Sequence, residues 1–219
     1  MDTTKVLLVL IGVLFLAVLV VPLVNQRVNP VVPGAVVVLP AGKVLFADDF
    51  QQGLNAAWST THTWRTGGGY LWHDYDGTGK GYAYVLRGVA WGDYAVDADI
   101  NPGSQGAGVI VRCQGDLMNY VLLRGNSESL RFQVIVNGGV AVESDELRPG
   151  FFAGTQHVRV LAKGSTYTVL VNNVQRLAFV NATFLAGMPG LASFGNYGGS
   201  SPLTSGVSYF DNFQVTRLD

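Results

Sequence analysis

The chain has 219 residues and a net charge of −1, from 14 basic and 15 acidic side chains. This balance excludes the strongly basic surface by which many proteins bind nucleic acid. Charged residues make up 13 %, while glycine (28 residues) and the aromatic residues (11 %) are abundant, a profile typical of a turn-rich β protein. The single cysteine, Cys113, excludes an internal disulfide, and we expect it to be a buried thiol.

The most apolar part of the chain, residues 6–24, contains no charged and no polar side chain. A helix of this length would span about 28 Å, close to the ~30 Å hydrocarbon core of a bilayer. The alternative, a cleaved signal peptide, would have a shorter apolar core followed by a small-residue cleavage site, and the sequence has neither. We therefore predict one transmembrane helix, preceded by a short tail over residues 1–5.

Residues 25–43 are rich in proline and valine. Pro30, Pro33 and Pro40 favour extended chain and prevent the helix from continuing. A semi-rigid stalk is predicted, and an edge strand over residues 35–39 is an equally good interpretation. Lys5 and Arg27 nearly balance each other across the predicted helix, so charge does not fix its orientation. We expect a single-pass membrane protein with its domain on the extracytoplasmic side, periplasmic or extracellular, because anchored β-sandwiches usually face that way.

Residues 44–219 contain short apolar runs at intervals of about 8–12 residues, which is typical of an all-β sandwich or barrel. The predicted strands cover residues 91–100, 109–113, 120–123, 130–136, 157–161, 167–171, 177–180 and 207–215. Turn-forming sequences such as Asn137-Gly138-Gly139 separate them and indicate hairpins. The sheets should therefore be antiparallel.

Two of these strands give explicit predictions of side-chain direction. In residues 91–100, apolar positions alternate with a second face that carries Asp93, Asp97 and Asp99, and we expect that second face to be solvated. In the last strand, strict alternation places Tyr209, Asp211 and Phe213 on one face. It places Phe210, Asn212 and Gln214 on the other.

A succession of short motifs extends over residues 44–219. The motifs are FADDF (46–50), WGDY (91–94), GAGVIVR (106–112), NYVLL (119–123), HVRV (157–160) and YFDNFQV (209–215). This succession resembles the concanavalin A-like lectin/glucanase superfamily, and it is most similar to the laminin-G-like and 3-keto-disaccharide-hydrolase-like branches. The resemblance implies a two-sheet antiparallel jelly-roll sandwich in which the first and last strands are neighbours. It does not define the function, because this architecture carries enzymes, lectins and adhesion modules.

Glucanases of this superfamily use a Glu-x-Asp-x-x-Glu pattern to place two carboxylates at the glycosidic bond. The sequence lacks that pattern, and its nearest approach is the set of Asp93, Asp97 and Asp99. No Gly-x-Ser-x-Gly motif accompanies the three histidines, so Ser–His–Asp catalysis is not expected either. We predict no catalytic residues and no enzyme, and a degenerate glycan-active site is the alternative.

Candidate binding residues lie in residues 65–84, where glycines are combined with tyrosine and tryptophan. Aromatic side chains with polar tips can stack on a sugar ring or anchor a protein partner. The candidates for ligand or partner binding are Trp72, His73, Tyr75 and Tyr82. Alternation also predicts that about half of the rings in this stretch belong to the core.

The same stretch contains the spacing with which a calcium-binding loop begins. Asp74, Asp76 and Thr78 would supply oxygen ligands, and Gly79 stands at the sixth position. Val85 occupies the place of the bidentate glutamate, so a plain turn is the competing interpretation. A structural calcium ion is the one cofactor that the sequence suggests.

The low charge, the apolar stalk and the lack of a catalytic pair favour a membrane-anchored, non-catalytic binding or scaffolding module. The working hypothesis is an accessory subunit of a larger membrane complex. The expected partners are the lipid bilayer, through residues 6–24, and other subunits of that complex, with no nucleic acid. The alternative is a carbohydrate-binding module or a glycan-active, glycoside hydrolase-like surface protein.

Overall fold

The computed structural model describes residues 42–61, 63–74, 81–85, 90–103, 106–126, 128–144, 154–194 and 207–219. The predicted tail, the predicted transmembrane helix and residues 25–41 of the predicted stalk lie outside these described residues. Within the described ranges the chain forms β-strands, and it contains no helix long and apolar enough to cross a membrane.

Fifteen strands follow one another in the described residues. They are β1 (Val44–Asp48), β2 (Trp58–Thr60), β3 (Thr63–Gly67), β4 (Tyr70–Asp74), β5 (Gly81–Val85), β6 (Tyr94–Asn101), β7 (Ala107–Cys113), β8 (Tyr120–Gly125), β9 (Leu130–Val136), β10 (Gly139–Glu143), β11 (Gln156–Lys163), β12 (Thr166–Val171), β13 (Val174–Val180), β14 (Met188–Ser193) and β15 (Tyr209–Arg217).

The strands form two antiparallel sheets. The eight strands of sheet A have the order β13-β12-β11-β6-β15-β4-β3, and β1 also pairs with β15. The seven strands of sheet B have the order β10-β9-β8-β7-β14-β5-β2. In the pair of first and last strands, Ala47 lies opposite Gln214. The two-sheet antiparallel sandwich and the neighbouring termini of the domain are therefore confirmed.

The main core lies between the two sheets. The predicted buried face of β6 is confirmed, because Tyr94, Val96, Ala98 and Ile100 all belong to this core. Aromatic rings pack within it, and the Trp58 and Phe213 rings meet edge to face with centroids 4.8 Å apart. Burying a side chain of this kind stabilises a fold by about 1.5–3 kcal/mol.

The side-chain directions predicted for the last strand are wrong. Phe210 and Phe213 are both buried in the core, although strict alternation places them on opposite faces. The register with β6 shifts between Asp211 and Gln214, and Asn212 has a positive φ of 50°. Such a bulge adds one residue to one strand and reverses the alternation beyond it. As a result, Tyr209, Asp211 and Gln214 are all only partly buried.

A second irregularity turns Arg112 of β7 into the protein. Arg112 has a φ of 54° and its side chain is fully buried. The guanidinium donates hydrogen bonds to the carbonyl oxygens of Gly164 (2.6 Å) and Phe184 (2.8 Å) and to the Tyr167 hydroxyl (3.1 Å). A buried cation is tolerated when it is paired and hydrogen-bonded, and here Nη1 carries these bonds while the buried Nε has no hydrogen-bond partner among the described residues. These bonds, with Asp93 at 3.6 Å, give Arg112 a structural role at this end of the sandwich.

Candidate functional site

Polar side chains cluster on the outer face of sheet A, where β11, β6 and β15 lie side by side. On β6 the core positions alternate with Asp97, Asp99 and Asn101, so these three side chains occupy the face away from the core. On β11 the same alternation places His157 and Arg159 on that face, because Val158 and Val160 are core residues. We call this surface, together with Tyr209, Asp211 and Asn212 of β15, the polar face.

An imidazole joins two carboxylates at the centre of the polar face. His157 lies opposite Asp99 in the strand pairing, and Arg159 lies opposite Asp97. Nδ1 of His157 is 2.9 Å from Oδ1 of Asp99, and Nε2 is 3.2 Å from Oδ1 of Asp97. Arg159 also donates to Oδ1 of Asp97 through Nε. The hydrogen bond to Asp97 raises the pKa of His157, although burial of the imidazole opposes the shift.

The prediction that these aspartates lie on a solvated face is wrong for Asp97, which is only 4 % exposed. Cross-strand pairs of opposite charge attract, and the cationic side chains of β11 reach over β6 and engage the carboxylate. Only Oδ1 takes part in these contacts. Within the described part of the chain, the buried Oδ2 of Asp97 has no hydrogen-bond partner.

The bulge in β15 links the carboxylates to a cleft. Asn212 donates a hydrogen bond from Nδ2 to Oδ2 of Asp99 (2.8 Å). It also lines an open cleft of about 690 Å³ beside β15. The described residues that line this cleft are Ala47, Asp48, Asp49, Gln52, Gly53, Asn55, Ala56, Asn212, Phe213 and Gln214. Partial burial raises the pKa of Asp211, and repulsion by Asp99 and Asp49 raises it further.

Two tyrosines stand at the opposite end of the polar face. The rings of Tyr70 and Tyr209 meet edge to face, with centroids 5.0 Å apart, and both residues are only partly buried. The Tyr209 hydroxyl accepts a hydrogen bond from Nδ2 of Asn101 (3.1 Å) and lies 2.9 Å from Oγ1 of Thr155. The polar face therefore runs from an aromatic pair, across a carboxylate–imidazole chain, to a cleft.

Two of the binding residues predicted from the sequence are buried. Trp72 lies opposite Tyr209 in the pairing of β4 with β15 and is 7 % exposed. His73 is 2 % exposed, and its ring centroid is 5.6 Å from that of Trp64. Trp72 is thus brought next to the polar face, whereas His73 packs on a core residue. Their roles in binding stay predictions.

The remaining candidates fall partly or wholly outside the described residues. Tyr75, Asp76 and Thr78 lie outside them. For Asp74 and Tyr82 the structure describes the backbone alone. Asp74 pairs with Thr63 in sheet A, and Tyr82 pairs with Ala192 in sheet B. The described residues contain no group of three or more acidic, histidine or cysteine side chains that could hold a metal ion. The calcium loop stays a prediction.

The sequence contains one signal for the polar face that the predictions overlooked. The segments Asp97-x-Asp99 and His157-x-Arg159 have complementary charges at the same spacing of two residues. Spacing of two places side chains on one face of a strand, so antiparallel pairing of these strands brings the four together. The contact of Asn212 with Asp99 had no such signal in the sequence, because it depends on the bulge in β15.

Solved structures with the same fold provide an independent comparison. The carbohydrate-binding module CBM66 from Bacillus subtilis is 16 % identical, with a TM-score of 0.56 over 73 % of this chain and 95 % of that one. The non-specific endo-β-1,3(4)-glucanase SCLam, from family GH16, is 10 % identical, with a TM-score of 0.62 over 85 % and 96 %. The exoplasmic/lumenal domain of VIP36, in a form bound to Ca²⁺ and Man3GlcNAc, is 11 % identical, with a TM-score of 0.53 over 77 % and 86 %.

No family model matches the sequence, and no curated protein matches it. At identities this low, the structural likeness shows the fold alone. The fold is the jelly-roll sandwich of the concanavalin A-like type, as the sequence motifs indicated. The structures that share it include both a carbohydrate-binding module and a glycosidase.

Proposed function

We propose that this protein is a carbohydrate-binding module that holds a saccharide on the polar face of sheet A. The observation that carries the proposal is the position of Asn212, which donates to Asp99 and also lines the cleft. This one side chain joins the carboxylate–imidazole chain to the cleft, and Asn101, two residues from Asp99 on the same face, joins that chain to the aromatic pair through Tyr209. Similar solved structures that bind or cleave glycans support the proposal.

The chemistry of the polar face suits a ligand with many hydroxyl groups. The partly exposed rings of Tyr70 and Tyr209 offer apolar surface for the C–H side of a sugar ring. Asp99 and Asn101 offer acceptors and donors next to these rings. Their side chains are already fixed by hydrogen bonds to neighbouring strands, so binding would cost little ordering of the site.

The hydrogen bonds of the polar face favour binding over cleavage. A glycosidase needs one carboxylic acid that donates a proton and a second carboxylate that is free to act as a nucleophile or base. Asp97 is engaged by His157 and Arg159, and Asp99 is engaged by His157 and Asn212. We therefore assign no catalytic role to these carboxylates.

The location of the module remains a proposal. A transmembrane helix over residues 6–24 would hold it at a membrane surface, with the polar face on the extracytoplasmic side. The accessory-subunit hypothesis stays a prediction from the sequence, and the lipid and subunit partners stay predictions with it.

The proposal is tested by screening the full-length protein against a glycan array and measuring the affinity for any ligand found. Asn212→Gly removes the amide group and keeps a residue that tolerates a positive φ. Without this amide group, the hydrogen bond to Asp99 and any hydrogen bond from Asn212 to the saccharide are lost, so binding should weaken about tenfold. Asn137→Gly is the matched control, because Asn137 has a φ of 51° in the turn between β9 and β10 of sheet B.

Asn137→Gly should bind as the wild type does. The proposal would be abandoned if the array shows no glycan, or if Asn212→Gly and Asn137→Gly bind the glycan equally well.

A further inference from the structure

The polypeptide enters the domain at one end of the sandwich. The backbone N–H of Arg217 donates to the carbonyl oxygen of Lys43 (2.9 Å), and Arg217 lies opposite Tyr94, the first residue of β6. The turn between β11 and β12 is at the same end, because the N–H of Gly164 donates to Asp93 (2.8 Å). The predicted stalk therefore leads into this end of the domain.

Three more connections between strands meet at this end. Arg112, near the end of β7, donates to Gly164 in one connection and to Phe184 in another. Met118 follows β7, and its carbonyl oxygen accepts a hydrogen bond from Gly138 in the turn between β9 and β10 (2.8 Å). We give the name entry end to the surface formed by Lys43 and residues 114–119, 137–138, 164–165 and 181–187.

Exposed apolar side chains are concentrated around the entry end. The described part of the chain leaves six large apolar side chains exposed, and five of them lie in the entry end or within two residues of it. These five are Val44, Met118, Val140, Val180 and Leu185. Single exposed apolar residues are normal on any protein surface, but several of them on one surface indicate an interaction site.

Leu185 is held outwards by the carbonyl groups on either side of it. It is 57 % exposed. The carbonyl oxygen of Phe184 accepts a hydrogen bond from Arg112 (2.8 Å), and that of Ala186 accepts one from Gln114 (2.8 Å). The backbone is thus fixed on both sides of Leu185, so its exposed position is part of the fold of this connection.

Met118 is fixed in the same way on the neighbouring connection. It is 47 % exposed, its N–H donates to Asp116 (2.9 Å), and its carbonyl oxygen accepts from Gly138. The hydrogen bond that Gln114 donates joins this connection to that of Leu185. Met118 and Leu185 are therefore two fixed apolar tips on adjacent connections.

The charged side chains around the entry end are suited to phospholipid headgroups. Asp93 is engaged by a backbone N–H, and Lys163 donates to the backbone carbonyl of Asp219 (2.7 Å). Lys43 and Arg217 are exposed. Their long side chains can place a positive charge at phosphate groups while the apolar tips lie deeper.

We propose that the entry end docks on the phospholipid surface of a membrane, with Met118 and Leu185 inserted at the level of the headgroups. The inference goes beyond saccharide binding and rests on the predicted transmembrane helix over residues 6–24. Residues 25–41 of the predicted stalk join that helix to the entry end and span about 50 Å when extended. A tether of this kind gives an effective concentration on the order of millimolar, so that two weak apolar contacts with lipid suffice.

Docking in this orientation leaves the polar face of sheet A accessible. Tyr209 lies opposite Asn101, the last residue of β6, whereas the entry end is at Tyr94, the first. Eight residues of extended strand span about 26 Å. The aromatic pair would therefore stand well clear of the lipid surface.

The test uses the full-length protein reconstituted into phosphatidylcholine vesicles that contain no other protein. Met118→Cys and Leu185→Cys each receive a fluorescent label, and Glu128→Cys, between β8 and β9 at the opposite end of sheet B, receives the same label as the matched control. The unaltered protein gives the background, because its single cysteine, Cys113, is buried. Lipids with a nitroxide quencher close to the headgroup should remove most of the fluorescence from Met118→Cys and Leu185→Cys and little from Glu128→Cys.

A charge at one tip tests whether the two tips act together. Met118→Asp, introduced into the labelled Leu185→Cys protein, should remove most of the quenching, because a carboxylate is costly to bring into the bilayer. Asn173→Asp is the matched control, because Asn173 is exposed in the turn between β12 and β13 at the opposite end. It adds the same charge and should leave the quenching unchanged.

The inference is supported if lipid quenches both labels and Met118→Asp removes that quenching. It is overturned if either label is quenched no more than the Glu128→Cys label, whether the entry end is then free or covered by a second copy or another subunit. It is also overturned if Met118→Asp leaves the quenching unchanged, or if the full-length protein does not stay with the vesicles. The glycan array tests saccharide binding independently of all these results.

Discussion

The outer faces of the two sheets differ in chemistry. On sheet A, the face of β11, β6 and β15 carries mainly charged, amide and tyrosine side chains, with Leu161 of β11 among them. On sheet B, side chains from β7, β8, β9 and the end of β14 form a second apolar cluster, separate from the main core. Its members are Ile110, Cys113, Tyr120, Leu122, Ile135, Ala192 and Phe194, which are 0–7 % exposed. A buried apolar face offers nothing to a soluble ligand, so the comparison directs the search for a site to sheet A.

The largest difference between the two faces should appear in matched leucine substitutions. Leu122 is buried in the apolar cluster of sheet B, whereas Leu161 of β11 is only partly buried on the outer face of sheet A. Leu122→Ala should reduce the free energy of unfolding by about 2–5 kcal/mol, because it removes buried methyl groups and leaves a cavity. Leu161→Ala should cost less than about 1.5 kcal/mol. Urea denaturation of both variants measures this, and equal losses would contradict the contrast between the faces.

A second contrast lies within the polar face. Asp97 has a side chain 5 % exposed, and that of Asp99 is 28 % exposed. Asp97→Ala should cost about 1–3 kcal/mol, because it leaves Arg159 and His157 without their shared acceptor. Asp99→Ala should cost less than about 1 kcal/mol, as expected for a solvent-screened contact. Thermal unfolding of the two variants measures both losses of stability. A larger loss in Asp99→Ala than in Asp97→Ala would contradict this contrast between the two carboxylates.

Much of the fold could be predicted from the sequence because it depends on local patterns. Alternation identified the buried face of β6, and the turn-forming glycines and asparagines identified the hairpins. The apolar cluster of sheet B also has a sequence signal, although no prediction used it. The run Val109–Val111 and the run Val121–Leu123 are apolar at every position, which is typical of strands buried on both faces.

The side-chain directions that were missed depend on a single backbone angle or on distant partners. Alternation cannot foresee the positive φ of Asn212, which moves Phe213 into the core, or that of Arg112, which turns a cation inwards. The burial of Asp97 depends on His157 and Arg159, which lie about 60 residues further along the chain. The candidate site could be predicted only in part, because it is assembled from three strands that are distant in sequence.

The smallest predicted effect is a pH dependence of the stability. It should arise in the polar face and not in the apolar cluster of sheet B, because that cluster contains no histidine among its described members. Asp97 and Asp99 of β6 flank His157 with negative charge, and Arg159, which contacts Asp97, is the neighbouring positive charge on β11. The hydrogen bond to Asp97, aided by that to Asp99, raises the pKa of His157 above its ordinary value of 6.5. Folding therefore favours the imidazolium.

The sign of the effect follows from this shift. The stabilising contribution is fully present below the unfolded-state pKa of about 6.5, and it is lost as the pH rises through the higher pKa of the folded state. We expect the melting temperature to fall between about pH 6 and pH 8, and the fall should be smaller in His157→Gln. The effect should be modest because the imidazole is 38 % exposed and solvent screens the pairs. Parallel curves for wild type and variant would show that the imidazole does not hold its two carboxylates as an imidazolium.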